Sequence, residues 1–143
     1  MTESFITLGD LRTYTHEGCT LTLDYGGPCV AITVLTDRMI RVRLAPDGRF
    51  ATRRPWAVVR PDDEFPEASF EIEESGQTLV LRTVSLTVQI ERDRGSISFA
   101  DAQGQPFCAD EAGMQWGQAT AGPRRVACTK CIEVGEHFFG FGE

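Results

Sequence analysis

Val84-Ser85-Leu86-Thr87-Val88-Gln89-Ile90 alternates an apolar with a polar side chain at every step. Successive side chains of an extended chain point to opposite faces, so a period of two describes a strand with one buried face. Ile40-Arg41-Val42-Arg43-Leu44 repeats the pattern with arginine on the outer face. Shorter runs occur at Leu21/Leu23, Val30/Ile32/Val34, Phe70/Ile72, Leu79/Leu81 and Ile97/Phe99. Later, Val126, Cys128, Ile132 and Val134 share one frame, which Lys130 interrupts. Thr and Val are frequent inside these runs, as a pleated, half-buried surface favours.

Turn chemistry separates the runs. Asp24-Tyr25-Gly26-Gly27-Pro28, Ala45-Pro46-Asp47-Gly48, Glu74-Ser75-Gly76-Gln77, Arg92-Asp93-Arg94-Gly95 and Asp101-Ala102-Gln103-Gly104 each supply Gly, Pro or Asp where the chain must reverse. Many short strands at this spacing predict an all-β fold, an antiparallel β-sandwich, in a single domain over residues 1–143. The best helical candidate, Ala109 to Trp116, contains Gly113 and offers at most a short turn of helix. Arg60 to Glu67, with two prolines and three adjacent acids, reads as a loop.

Composition removes several classes of function. Fourteen basic against 21 acidic residues give a net charge of −7, the wrong sign for a phosphate backbone, so no nucleic-acid partner is expected. No apolar run approaches the roughly 20 residues of a membrane helix, and Met1-Thr2-Glu3-Ser4-Phe5 lacks the basic and apolar regions of a secretory signal. Five cysteines (Cys19, Cys29, Cys108, Cys128 and Cys131) at irregular spacing make a poor disulfide framework, so a reducing, cytoplasmic setting is expected.

The candidates for chemistry each have a plainer alternative. Cys128-Thr129-Lys130-Cys131 has the C-x-x-C half-site spacing of zinc and redox centres. No second ligand pair accompanies it, and a strand turns residues three apart to opposite faces, so two structural thiols are the better reading and no metal or cofactor is expected. His16 is expected in a loop between early strands, and no nucleophile is visibly arranged around it or around His137. Asp62-Asp63-Glu64 reads as solvated surface, since paired catalytic carboxylates flank a scissile bond from different elements. Gly26-Gly27-Pro28 is a turn, too short for a phosphate loop. Trp56 and Trp116 are the candidate sugar-stacking platforms, against core filling as the favoured role of each.

The C-terminal segment Gly135-Glu136-His137-Phe138-Phe139-Gly140-Phe141-Gly142-Glu143 resembles the E-x-F-[FY]-G-[FL]-G-E segment of glycoside hydrolase family 31, the α-glucosidase and α-xylosidase family. Ile40 to Leu44 is similar to an early strand of that family's N-terminal sandwich. The stretch from Val84 through Ser98-Phe99-Ala100-Asp101-Ala102-Gln103-Gly104 resembles its "V-x-I … F-x-D-x-x-G" hairpin. His137 and Phe139 fall where the family varies.

The resemblance implies a galactose-mutarotase-like N-terminal β-sandwich of a retaining α-glycosidase. The catalytic aspartates of such an enzyme lie on a (β/α)₈ barrel of about 250 residues, more than this chain could hold. No catalytic residue is therefore expected here, and the 143-residue chain is expected to be inactive by itself. The implied partners are the barrel of the same polypeptide and the parent enzyme's α-glucoside or oligosaccharide substrate, with the sandwich helping to shape the sugar entrance. Phe138, Phe139 and Phe141 read as the barrel interface: three large apolar groups at an end that reads as a cut, expected to be partly exposed or covered by a second copy. The alternative is a stand-alone carbohydrate-binding module. A mutarotase-type epimerase fares worse, with only two histidines available.

Overall fold

The computed structural model of the chain describes residues 4–52, 58–117, 124–137 and 139. The strands are β1 (Phe5–Thr7), β2 (Thr13–Glu17), β3 (Thr20–Asp24), β4 (Cys29–Thr36), β5 (Met39–Ala45), β6 (Glu71–Ser75), β7 (Thr78–Arg82), β8 (Leu86–Glu91), β9 (Ile97–Asp101), β10 (Pro106–Gly117) and β11 (Val126–Lys130). A 3-10 turn, Asp62–Glu64, lies between β5 and β6. No described helix is long and apolar enough to cross a membrane.

Two antiparallel sheets result. The smaller runs β2-β3-β4-β5 and the larger β6-β7-β8-β9-β10. β9 and then β1 pair along one edge of β10, and β11 pairs along the other. The apolar frames of the sequence face one another across the sandwich. Leu21, Leu23, Val30, Ile32 and Val34 of the small sheet are buried in one cluster with Leu79, Leu81, Val88, Ile90 and Ile97 of the large one. Burying each such side chain contributes about 1.5–3 kcal/mol, which makes this cluster the main source of stability.

β4 is buried on both faces. Its outer-face Thr33 shares a hydrogen bond with the Thr20 hydroxyl at 3.0 Å. Arg41, opposite Thr33 on β5, grips Asp62 with both terminal guanidinium nitrogens, one contact being 2.7 Å. The acidic stretch is therefore not simply solvated surface: Asp62 anchors the strap of residues 61–69 to the small sheet.

Hairpins alternate direction, so their turns fall at two ends of the sandwich. At one end meet the turns after β3, β6 and β8, closed by the segment before β2. There the Leu11 N–H donates to Arg92 O at 2.6 Å and the Arg92 N–H to Gln77 O at 2.9 Å. Two glycines make this closure possible. Gly95 has φ +65°, and a Cβ there would stand 2.5 Å from Leu8 Cδ1. A Cβ on Gly113 would stand 2.0 Å from the Arg94 carbonyl oxygen. The β8–β9 turn thus rests directly on the backbone of β10.

Three local expectations need correction. Residues 109–116 are not helical but form most of the long strand β10, and Gly113 is there to admit Arg94 rather than to end a helix. His16 lies within β2, paired with Leu21, with its ring 4.6 Å from that of Phe70, not in a loop. Val84 falls in the turn before β8, because the Thr83 hydroxyl accepts from the Ser85 and Leu86 N–H groups and bends the chain there. The alternation ran two residues past the strand.

Candidate functional site

The other end of the sandwich gathers the turns after β2, β4, β7 and β9, together with the segment that leaves β11. β11 reaches it along β10, with Asp110 opposite Lys130 and the Cys131 N–H donating to Ala109 O at 2.8 Å. Lys130 breaks the apolar frame of β11 for a reason. Its ammonium pairs with Asp110, whose side chain is only 2% exposed and also accepts from the Ile97 N–H at 2.9 Å. That carboxylate ties β9, β10 and β11 together. Burial lowers the Lys130 pKa, but the hydrogen bond and charge of Asp110 outweigh it and leave it raised.

Cys128, two residues before Lys130 on β11, places its thiol 3.6 Å from the same carboxylate. Partial desolvation of the thiol, then the Asp110 charge, push its pKa up, which disfavours a nucleophilic thiolate. Cys131 lies just beyond the strand, and both residues are exposed. Among the described residues no group of three or more His, Cys, Asp or Glu could hold a metal. A cavity of about 600 Å³ lies between the turn of Gly18 and Cys19 and the strap, lined also by Asp62, Asp63, Phe65 and Glu67.

Beyond β11 the chain makes a self-closed turn. The Glu136 N–H donates to Glu133 O and the Glu133 N–H to the Glu136 carboxylate, each at 3.1 Å, with Gly135 at φ +92°. Val134 is fully exposed in that turn. Ile132 is exposed before it, and Phe139 after it is 88% exposed, with its ring 6.4 Å from that of His137. Phe138 and Phe141 lie outside the described residues, as does Trp56. Trp116 is 5% exposed and sits in the core cluster, paired with Ile6 and Val126 on its two neighbouring strands. The Asp110–Lys130 pair was missed in the sequence, although a lysine at an apolar position of a strand is its signal.

The sequence profile of the glycosyl hydrolase 31 N-terminal galactose mutarotase-like domain matches residues 29–143. The chain is 23% identical over 138 residues to an alpha-glucosidase 2 of Bacillus thermoamyloliquefaciens, covering 96% of this chain and 17% of that protein. Among solved structures it is similar to the family 31 alpha-xylosidase of Xanthomonas citri, with a TM-score of 0.65 and 26% identity over 79% of this chain and 12% of that one. The fold also matches a family 31 dextranase of Flavobacterium johnsoniae, with a TM-score of 0.67 and 15% identity over 78% of this chain and 15% of that one. The chain thus spans less than a fifth of each of these relatives.

Proposed function

The chain belongs to the family of glycosyl hydrolase 31 N-terminal galactose mutarotase-like domains, and from that premise we propose that it is the non-catalytic sandwich of a longer α-glycosidase. Its role is to pack against the catalytic (β/α)₈ barrel through the segment after β11 and to help shape the sugar entrance. The parent reaction is retaining hydrolysis of α-glycosidic bonds by a carboxylate pair carried elsewhere in the polypeptide. The observation that carries this reading is Phe139, a large aromatic 88% exposed beyond a strand that is firmly latched to its sheet. An apolar group held out in this way supports a surface meant to be covered. The acid-lined cavity at the same end of the sandwich supports the entrance role. A stand-alone sugar-binding module gains nothing from Trp116, whose ring is inside the core.

Hydrolysis of an aryl α-glucoside tests the proposal. The 143-residue chain is expected to give no turnover, while the longer polypeptide turns over and loses stability on Phe139→Asp. Turnover by the 143-residue chain that one of its own carboxylates abolishes on substitution would overturn it.

A further inference from the structure

A second cavity, of about 950 Å³, lies beside β5, an edge strand of the small sheet. Arg41 and Arg43 line it from the strand, Phe50 and Val58 from the segment that follows, and Asp62 and Asp63 from the strap. Three side-chain polar atoms among the described residues are buried without a hydrogen-bond partner. Two of them, Arg41 Nε and Arg43 Nε, belong to this cavity. A buried donor left unpaired costs about 1–3 kcal/mol, so two of them in one place require a reason.

The two arginines are not equivalent. Arg41 gives both terminal nitrogens to Asp62, so its charge is answered within the chain. Arg43 pairs with no carboxylate among the described residues, and its guanidinium lies over the Phe50 ring, 5.0 Å from the centroid. Stacking covers one face of a guanidinium and leaves the N–H groups at its edge for a ligand. The surrounding sequence is basic out of proportion to the chain. Seven of the 14 basic residues fall between Arg38 and Arg60, where Asp47 is the one acid, although the net charge is −7. Such a local field favours an anion.

We propose that this cavity binds a small hydroxylated organic anion, an acidic sugar whose carboxylate or phosphate meets Arg43. The planar fork of an arginine matches either oxyanion. The space exceeds what a bare ion fills, and Phe50 and Val58 offer apolar surface to a carbon skeleton. Asp63, exposed on the strap side, accepts from the hydroxyls. The site stands apart from the end of the sandwich that carries the proposed role, and neither reading depends on the other.

Calorimetric titration of the 143-residue chain tests the site with glucuronate, a glucose phosphate, inorganic phosphate and glucose. At least one acidic sugar is expected to bind with a millimolar Kd or better, and a preference between the two names the oxyanion. Arg43→Gln is expected to weaken that binding about tenfold or more. Arg82→Gln, at an arginine already paired with Glu73, is expected to leave it unchanged. Arg43→Met separates binding from structure. Without ligand this variant is expected to unfold no earlier than the native chain, since it loses an unanswered charge and keeps a side chain that packs on Phe50. A midpoint several degrees lower would make Arg43 a structural residue and overturn the proposal. Failure of both acidic sugars to bind at roughly 10 mM, or equal binding of inorganic phosphate or glucose, would overturn it as well.

Discussion

The two ends of this sandwich are finished differently. At the closed end, turns cross-bond to one another, Leu8, Leu11 and Tyr25 are buried, and glycines let backbone rest on backbone. At the open end the turns are just as well hydrogen-bonded, yet their apolar side chains point to solvent. Polar clamps beneath apolar tips are what the proposed docking role would require of this end. The stability of the chain is thus expected to be set at the closed end and its attachment at the open end.

The sharpest way to break that contrast is Gly113→Ala. A methyl group cannot coexist with the Arg94 carbonyl at 2.0 Å, so β10 or the β8–β9 turn must move. The expected cost is about 3 kcal/mol or more in urea unfolding. A change under about 0.5 kcal/mol would mean that the closed end is looser than its contacts imply.

Next in size is Lys130→Met, which leaves the Asp110 carboxylate buried without its cation. Allowing for the solvent that reaches the lysine, a loss of about 1–2 kcal/mol is expected. Hydrogen exchange should show it first in β11. The raised pKa fixes the pH dependence: the latch is at full strength below the ordinary lysine value of 10.5 and is lost as pH rises through the higher folded value. Protection of β11, taken relative to the base-catalysed intrinsic exchange rate, that stays unchanged as pH rises past the lysine range would contradict this.

The smallest effect belongs to the bridge between sheets at the closed end, where the Tyr14 hydroxyl donates to Glu74 and Arg92 pairs with the same carboxylate, both at 2.9 Å. The Tyr14 hydrogen bond, then that of Arg92, holds the Glu74 pKa below its ordinary 4.5. Its contribution is present above 4.5 and lost as pH falls through the folded value. Tyr14→Phe should therefore destabilise slightly at neutral pH and converge with the native chain in acid. A difference that persists in acid would assign the tyrosine another role.

The strands that the sequence revealed are those whose two faces meet different environments, such as Leu86 to Ile90 or Ile40 to Leu44. β10 was hidden because its register shifts twice against β11 and because Asp110 and Gly113 sit where apolar residues would mark the phase. Both are explained by partners remote in sequence, Lys130 and Arg94, which no local pattern encodes. The aromatic run around Phe139 was legible as apolar area without a home. The closeness of the exposed Val84 and Met39 was not, since it depends on two hairpins meeting through Asp37.

Hydroxyl-radical footprinting of the proposed longer polypeptide tests the central claim most directly, by comparing side-chain oxidation at Phe139 and Met39 in its native state with that in urea. Strong protection of both residues is the expected result, with Val59, which is 86% exposed before the 3-10 turn, oxidised at its unfolded rate. Oxidation of Phe139 and Met39 as fast in the native state as in the unfolded one would contradict the claim that this end of the sandwich is built to be covered.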